Sequence, residues 1–220
     1  MIRTLVWVSA CLLTLNLSAQ TLISYTGATP PTTTNTMSVG TQSNKASAFT
    51  VGASDIIVTA VDFYTNTGSS TVNFTASLWE ATYTGPNIGQ QSLVGSVLAS
   101  QTVNVGAQSI LTLNTATFAN PITLSSNLTY MLVINYAPVS GTSALLGTAT
   151  LADLNGTGVT PLTGLFRDAT GTAGVLDGSV TSSLVVAYNL QGTTVPEPST
   201  LALLSGALLL GAFVRRRQAR

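Results

Sequence analysis

From Val72 to Trp79 apolar and polar residues alternate without a break, with Val72, Phe74, Ala76 and Leu78 in one register and Asn73, Thr75, Ser77 and Trp79 in the other. A repeat of two matches the β-strand, whose successive side chains point to opposite faces, and does not fit a helix of 3.6 residues per turn. The chain must therefore build a sheet with one face in a core. Residues 56–64 and 128–136 extend this reading. Both are rich in β-branched and aromatic residues, and the second is so continuously apolar that it predicts a central strand. Further strands are expected over residues 21–25, 48–51, 94–105, 109–113, 118–124 and 183–190. Residues 27–35, 66–70 and 83–89, Gly106 and Asn120-Pro121 serve as connections, and residues 191–195 as a linker. Between Gly141 and Gly178 glycine is frequent and the pattern weakens.

Composition points the same way. Only 6% of residues are charged, against roughly 25% in a typical soluble domain, so the surface must be made of Thr, Ser, Asn, Gln and Gly. That palette suits strands and argues against amphipathic surface helices, which draw on Glu, Lys and Arg. Eight to ten strands without one convincing amphipathic helix predict an all-β body, a two-sheet β-sandwich of jelly-roll type over residues 20–190. A solenoid is the alternative, disfavoured because the strands differ in length and share no motif.

Between Thr21 and Val195 two bases, Lys45 and Arg167, face six acids, Asp55, Asp62, Glu80, Asp153, Asp168 and Asp177, leaving about −4. Nucleic acid is an unsuitable partner for such a body, because phosphate binding needs clustered Lys and Arg. Histidine is absent, and the single Cys11 lies in an apolar N-terminal run. The body is therefore expected to fold without disulfides and without the commonest general base and metal ligand.

The two ends have a different character. Arg3 followed by an apolar run over residues 5–17 and the small residues Ser18-Ala19 reads as a secretory signal peptide, cleaved after Ala19 by signal peptidase following export by the general secretion machinery. Val8-Ser9-Ala10-Cys11 also resembles a lipoprotein box, although the apolar run continues past it. At the other end Pro196-Glu197-Pro198 is extended by its prolines. An uncharged apolar stretch follows, predicting a transmembrane helix at about residues 200–214 in the precursor. Its Leu201–Val214 portion would be roughly 21 Å long against a hydrocarbon core of roughly 30 Å, a marginal anchor. Arg215, Arg216, Arg217 and Arg220 hold four of the seven bases of the chain in its last six positions. Such a cluster is retained on the cytoplasmic side, so the body faces outward.

This order of parts, Pro-Glu-Pro, apolar span and terminal arginines over residues 195–220, resembles the PEP-CTERM sorting signal of exopolysaccharide-producing Gram-negative bacteria. The resemblance implies recognition by a membrane-embedded exosortase and cleavage near Pro196-Glu197-Pro198. The body would then pass from an inner-membrane precursor to the outer surface or the extracellular matrix. An ordinary C-terminal anchor is the plainer reading and leaves the Pro-Glu-Pro box unexplained. Within the body, Ala48-Phe49-Thr50, Ser77-Leu78-Trp79-Glu80, Gly85-Pro86 and the succession Phe118, residues 121–124 and residues 128–133 resemble the choice-of-anchor R type of extracellular β domain. That resemblance implies fold and location and carries no activity.

Candidate sites in the body are sparse. Gly141-Thr142-Ser143 offers a serine with no histidine to activate it. Asp62 and Glu80 form the one carboxyl pair on firm strands, the minimum for a glycosidase, with solvent-facing strand ends as the plainer reading. Asp153, Asn155 and Thr157 place oxygen atoms at alternate positions with Gly158 sixth, like the start of a calcium loop shared with Asp168 or Asp177. The twelfth position is Gly164 rather than the bidentate Glu, so a structural Ca²⁺ competes with a plain turn. Trp79, turned away from Leu78, and the following Tyr83 make a candidate sugar-stacking platform unless a sheet or loop covers them. No catalytic residue and no cofactor are expected. The leading expectation is a non-enzymatic exported structural or adhesive protein of the cell surface or exopolysaccharide matrix, with exopolysaccharide or other surface proteins as partners. The alternatives are a carbohydrate-binding module and, more remotely, a hydrolase.

Overall fold

The computed structural model describes residues 19–38, 43–87, 89–138, 143–167, 176, 178–181 and 183–195. In chain order the strands are β1 (Gln20–Tyr25), β2 (Thr33–Ser38), β3 (Asn44–Val51), β4 (Ile56–Asn66), β5 (Val72–Tyr83), β6 (Gln91–Val105), β7 (Thr112–Leu124), β8 (Thr129–Pro138), β9 (Ser143–Thr150), β10 (Leu154–Gly156), β11 (Val159–Pro161), β12 (Leu165–Arg167), β13 (Gly178–Thr181), β14 (Leu184–Val186) and β15 (Tyr188–Thr194). One 3₁₀ turn, Leu151–Asp153, joins β9 to β10.

The strands form two sheets. One runs β10-β1-β15-β4-β9-β14, with β2 on β9 and β7 on β4; the other runs β13-β12-β3-β8-β5-β6, with β11 on β3. Every described ladder is antiparallel. From β3 to β9 the chain changes sheet at every connection except β5 to β6, which gives the two-sheet sandwich the composition demands.

The alternation of β5 is fully realised: Val72, Phe74, Ala76 and Leu78 are completely buried. Burying each of the larger ones contributes about 1.5–3 kcal/mol. Phe74 meets Phe63 of the facing sheet edge-on at 6.0 Å and Tyr136 of its own sheet at 6.0 Å, so one ring ties both layers together. The continuously apolar β8 is central, paired with β3 on one side and β5 on the other.

Several sequence expectations are corrected. Within residues 27–35, expected as a connection, β2 begins at Thr33; its polar composition buries Met37 alone and pairs only with β9. The expected strands at 109–113 and 118–124 merge into β7, which runs through Asn120-Pro121. Proline is tolerated there because β7 pairs only with β4 and bulges at this point: Thr117 opposes Ala60 and Ile122 opposes Val58. The expected last strand over 183–190 divides at Ala187 into β14 and β15, which pair with different neighbours.

β6 carries a matching bulge, with Ala99 opposite Leu78 and Val94 opposite Glu80, and Gly95 takes φ +69° where a side chain would be strained. The two bulges face each other across one side of the sandwich, where Leu98, Ala99, Ser100, Phe118, Ala119 and Asn120 line a pocket of about 150 Å³. No charged residue occurs between Glu80 and Asp153, so both edge strands are uncharged throughout.

Burial pushes the Tyr188 phenol far above its ordinary range and raises Tyr25, Tyr130 and Tyr136 as well. An unfolded tyrosine ionises near pH 10. Folded-state values above that make stability complete below about pH 10 and lost as the pH rises further. Melting temperature is therefore expected to fall once pH passes about 10, and Tyr188→Phe should flatten the fall. The buried Tyr188 hydroxyl has no hydrogen-bond partner among the described residues, so the same variant should match or exceed the parent at pH 7, by up to about 1 kcal/mol. Thermal melts across pH 7–11 check both.

Candidate functional site

The chain leaves the body through β15, and that junction is where sequence and structure meet most closely. β15 lies inside its sheet, between β1 and β4. Tyr188 and Leu190 are completely buried, and Gln191, Gly192, Thr193 and Thr194 oppose Ala60, Val58, Ile57 and Ile56. Residues 191–194, expected to begin a linker, are therefore ladder. Their polar side chains hid this because what the strand buries here is mostly backbone. Gly192 is required, since a Cβ would collide with the Ile57 carbonyl oxygen and with Leu22. Val195 continues the attachment: its N–H donates to the Asp55 carbonyl at 2.8 Å, and the Asp55 carboxylate accepts from the Ser126 N–H at 2.7 Å.

β1 runs antiparallel beside β15, with Gln20 opposite Gly192. The body therefore begins and ends at the same end of the sandwich. Ala19 is exposed immediately before β1. Residues 1–18, Pro196, Glu197, Pro198, the expected helix at about 200–214, and Arg215, Arg216, Arg217 and Arg220 lie outside the described residues. Among the described residues no helix is long and apolar enough to cross a membrane.

The structure brings Trp79 and Tyr83 together on the outer face of the smaller sheet. They pack there against a second apolar cluster containing Ala81, Met131, Val133 and Phe166. Both are half-buried, and both polar handles are engaged within the chain. Trp79 Nε1 donates to Ser77 Oγ at 3.1 Å, while the Tyr83 hydroxyl donates to the Thr163 carbonyl at 2.7 Å. The Tyr83 ring meets Phe166 edge-on at 6.3 Å. The segment after β11 thus covers Tyr83, while Trp79 packs on the same apolar cluster.

The carboxyl pair separates: Asp62 lies on β4 and Glu80 on β5, in different sheets. Neither is a strand end. Asp62 is buried, accepting from Thr115 Oγ1 at 2.7 Å, Gln191 Nε2 at 2.9 Å and Asn189 Nδ2 at 3.4 Å. Sequence reasoning missed this network because its members come from β4, β7 and β15, more than 50 residues apart at the least. Its donors pair the carboxylate with β15, so Asp62 helps hold the exit strand.

The calcium-loop residues diverge. Asp153 Oδ2 accepts from the Thr150 N–H at 3.0 Å and Thr150 Oγ1 at 2.8 Å, capping the 3₁₀ turn. Asn155 lies in β10 opposite Ser24, and the Thr157 N–H donates to the Leu22 carbonyl at 2.7 Å. Asp168 and Asp177 lie outside the described residues, and among the described ones no three acidic, histidine or cysteine groups cluster to hold a metal.

No curated protein sequence matches the chain. Solved structures give faint likenesses. TmCBM61 in complex with β-1,4-galactotriose is 12% identical at TM-score 0.33, over 69% of this chain and 88% of that one. The mosquito-larvicidal Cry4Aa toxin from Bacillus thuringiensis is 8% identical at TM-score 0.32, over 81% of this chain and 24% of that one. A structure of the infectious bursal disease virus Gx strain is 12% identical at TM-score 0.30, over 84% and 44%. Scores this low establish neither a shared fold nor a shared ligand. The informative match is at the exit of β15: residues 194–218 fit the family model described as the PEP-CTERM protein-sorting motif, so this chain carries an exosortase-recognised export signal joined directly to the last strand of its body.

Proposed function

We propose that the chain is a non-enzymatic structural or adhesive protein of the cell surface or exopolysaccharide matrix, released from its membrane precursor by exosortase cleavage close to Pro196-Glu197-Pro198. The observation that carries this reading is the junction itself: the sorting motif begins at residue 194, where β15 ends. A cut beyond Val195 removes all but the first two residues of the motif and leaves every described strand in place. The chemistry of the body supports a passive role. It has no histidine, its one cysteine lies in the signal segment, and its two firm-strand carboxylates sit in different sheets.

In a host possessing an exosortase, the body is expected in the extracellular fraction, shortened by the tail. Exchange of both Pro196 and Pro198 for alanine should hold full-length protein in the membrane fraction. Unchanged release by this double variant, or by the parent chain in a host stripped of its exosortase, would overturn the proposal.

A further inference from the structure

The topology that brings both ends of the body together also gives it an orientation. Gln20 opposes Gly192, and adjacent strands lie about 4.8 Å apart. The apolar N-terminal run ends at Leu17, and only Ser18 and Ala19 separate it from β1. Beyond Val195, five residues precede the apolar stretch that starts at Leu201. Even fully extended, five residues reach roughly 18 Å. Before signal cleavage both apolar segments, and after it the C-terminal one, are thus tethered within a short distance of one end of the sandwich. β4 alone extends the molecule by roughly 35 Å in the other direction.

That end is built from residues 52–55, 125–128 and 157–158, with the β5–β6 turn after Tyr83 beside them. Gly52 N–H donates to the Gly158 carbonyl at 2.9 Å, and Asn127 N–H donates to the Gly52 carbonyl at 2.9 Å. Its charged side chains are Asp55, already engaged by Ser126, and the partly exposed Glu80, which stands opposite Tyr130. Asn127 takes φ +60°, and the adjoining Leu128 is 40% exposed, a large apolar side chain presented at the end where the tethers leave.

We infer that this end of the sandwich lies against the lipid headgroups of the membrane that holds the precursor, with Leu128 turned toward the interface. The inference rests on the sorting reading above and adds which surface meets the bilayer. The opposite end, with the turn around Gly68 and Ser69, faces away. Ile110, 68% exposed beside the Gly68 turn, gives the opposite end an apolar side chain as well, so it is the tethers that set the orientation.

The test uses the full precursor in phosphatidylcholine vesicles containing a headgroup-labelled acceptor lipid. Cys11 is replaced by serine, and one donor dye is placed through Asn127→Cys, Ser125→Cys or Ser69→Cys. Energy transfer at positions 127 and 125 should be at least twofold greater than at 69. Equal or greater transfer at 69 with the protein floating on the vesicles would overturn the orientation and leave the sorting reading standing. Folded precursor that fails to float with vesicles would overturn both. Two labelling positions at the near end guard against a local effect of either substitution.

Discussion

A chain cut after Leu190 is expected to remain unfolded under conditions in which a chain cut after Val195 melts in one cooperative step. The shorter chain ends where apolar patterning fades, yet it loses the half of β15 that pairs with Ala60, Val58, Ile57 and Ile56 and with the start of β1. Gln191 also donates to the buried Asp62, so the cut removes one of the donors that balance a desolvated carboxylate. Each lost ladder hydrogen bond contributes roughly 0.5–1.5 kcal/mol net. Several of them, with the apolar surface they cover, approach the whole stability of a typical domain, about 5–15 kcal/mol. Circular dichroism melts of the two truncations decide the matter; equal melting temperatures would show that residues 191–195 are dispensable.

Phe74→Ala should produce the largest effect of any single core substitution, about 3–5 kcal/mol by urea denaturation. Phe74 is completely buried and its ring contacts span the two sheets through Phe63 and Tyr136. With neither disulfide nor described metal cluster to compensate, the loss falls on the core alone. For a body of this size it should lower Tm by roughly 10 °C. A change under about 1 kcal/mol would mean the two layers are held chiefly elsewhere.

The strands legible in the sequence are those with a strong side-chain signal. In β5 it is the alternation between the core and the outer face, and in β8 it is an apolar run buried on both faces, Met131, Leu132, Val133 and Ile134 in succession. β2 was hidden because a strand paired on one side with one buried residue needs no alternation. The last half of β15 was hidden for the opposite reason: strands on both sides bury its backbone, while its glycine and threonines carry no apolar signal. Asp62 read as a surface acid because its partners are scattered through the chain. The Trp79–Tyr83 pair was legible as a pair, but the cover over Tyr83 comes from Thr163 and Phe166, where short strands and glycine blur every periodicity. The sorting tail is the reverse case. Its order of proline box, apolar span and arginines is a linear address, complete without tertiary structure.

The opposed bulges of β6 and β7 bear on what happens when many copies are secreted into a crowded space. Edge strands usually discourage pairing with another chain through lysines or inward charges, and neither edge here has one. What interrupts each edge is geometry: four residues stand opposite a single partner residue on β6 and again on β7, three more at each place than a regular ladder holds. A barrier made of shape does not weaken in brine or change with acidity as a charged one does. The body can therefore stay separate from its own copies in surroundings where electrostatic repulsion would be screened away.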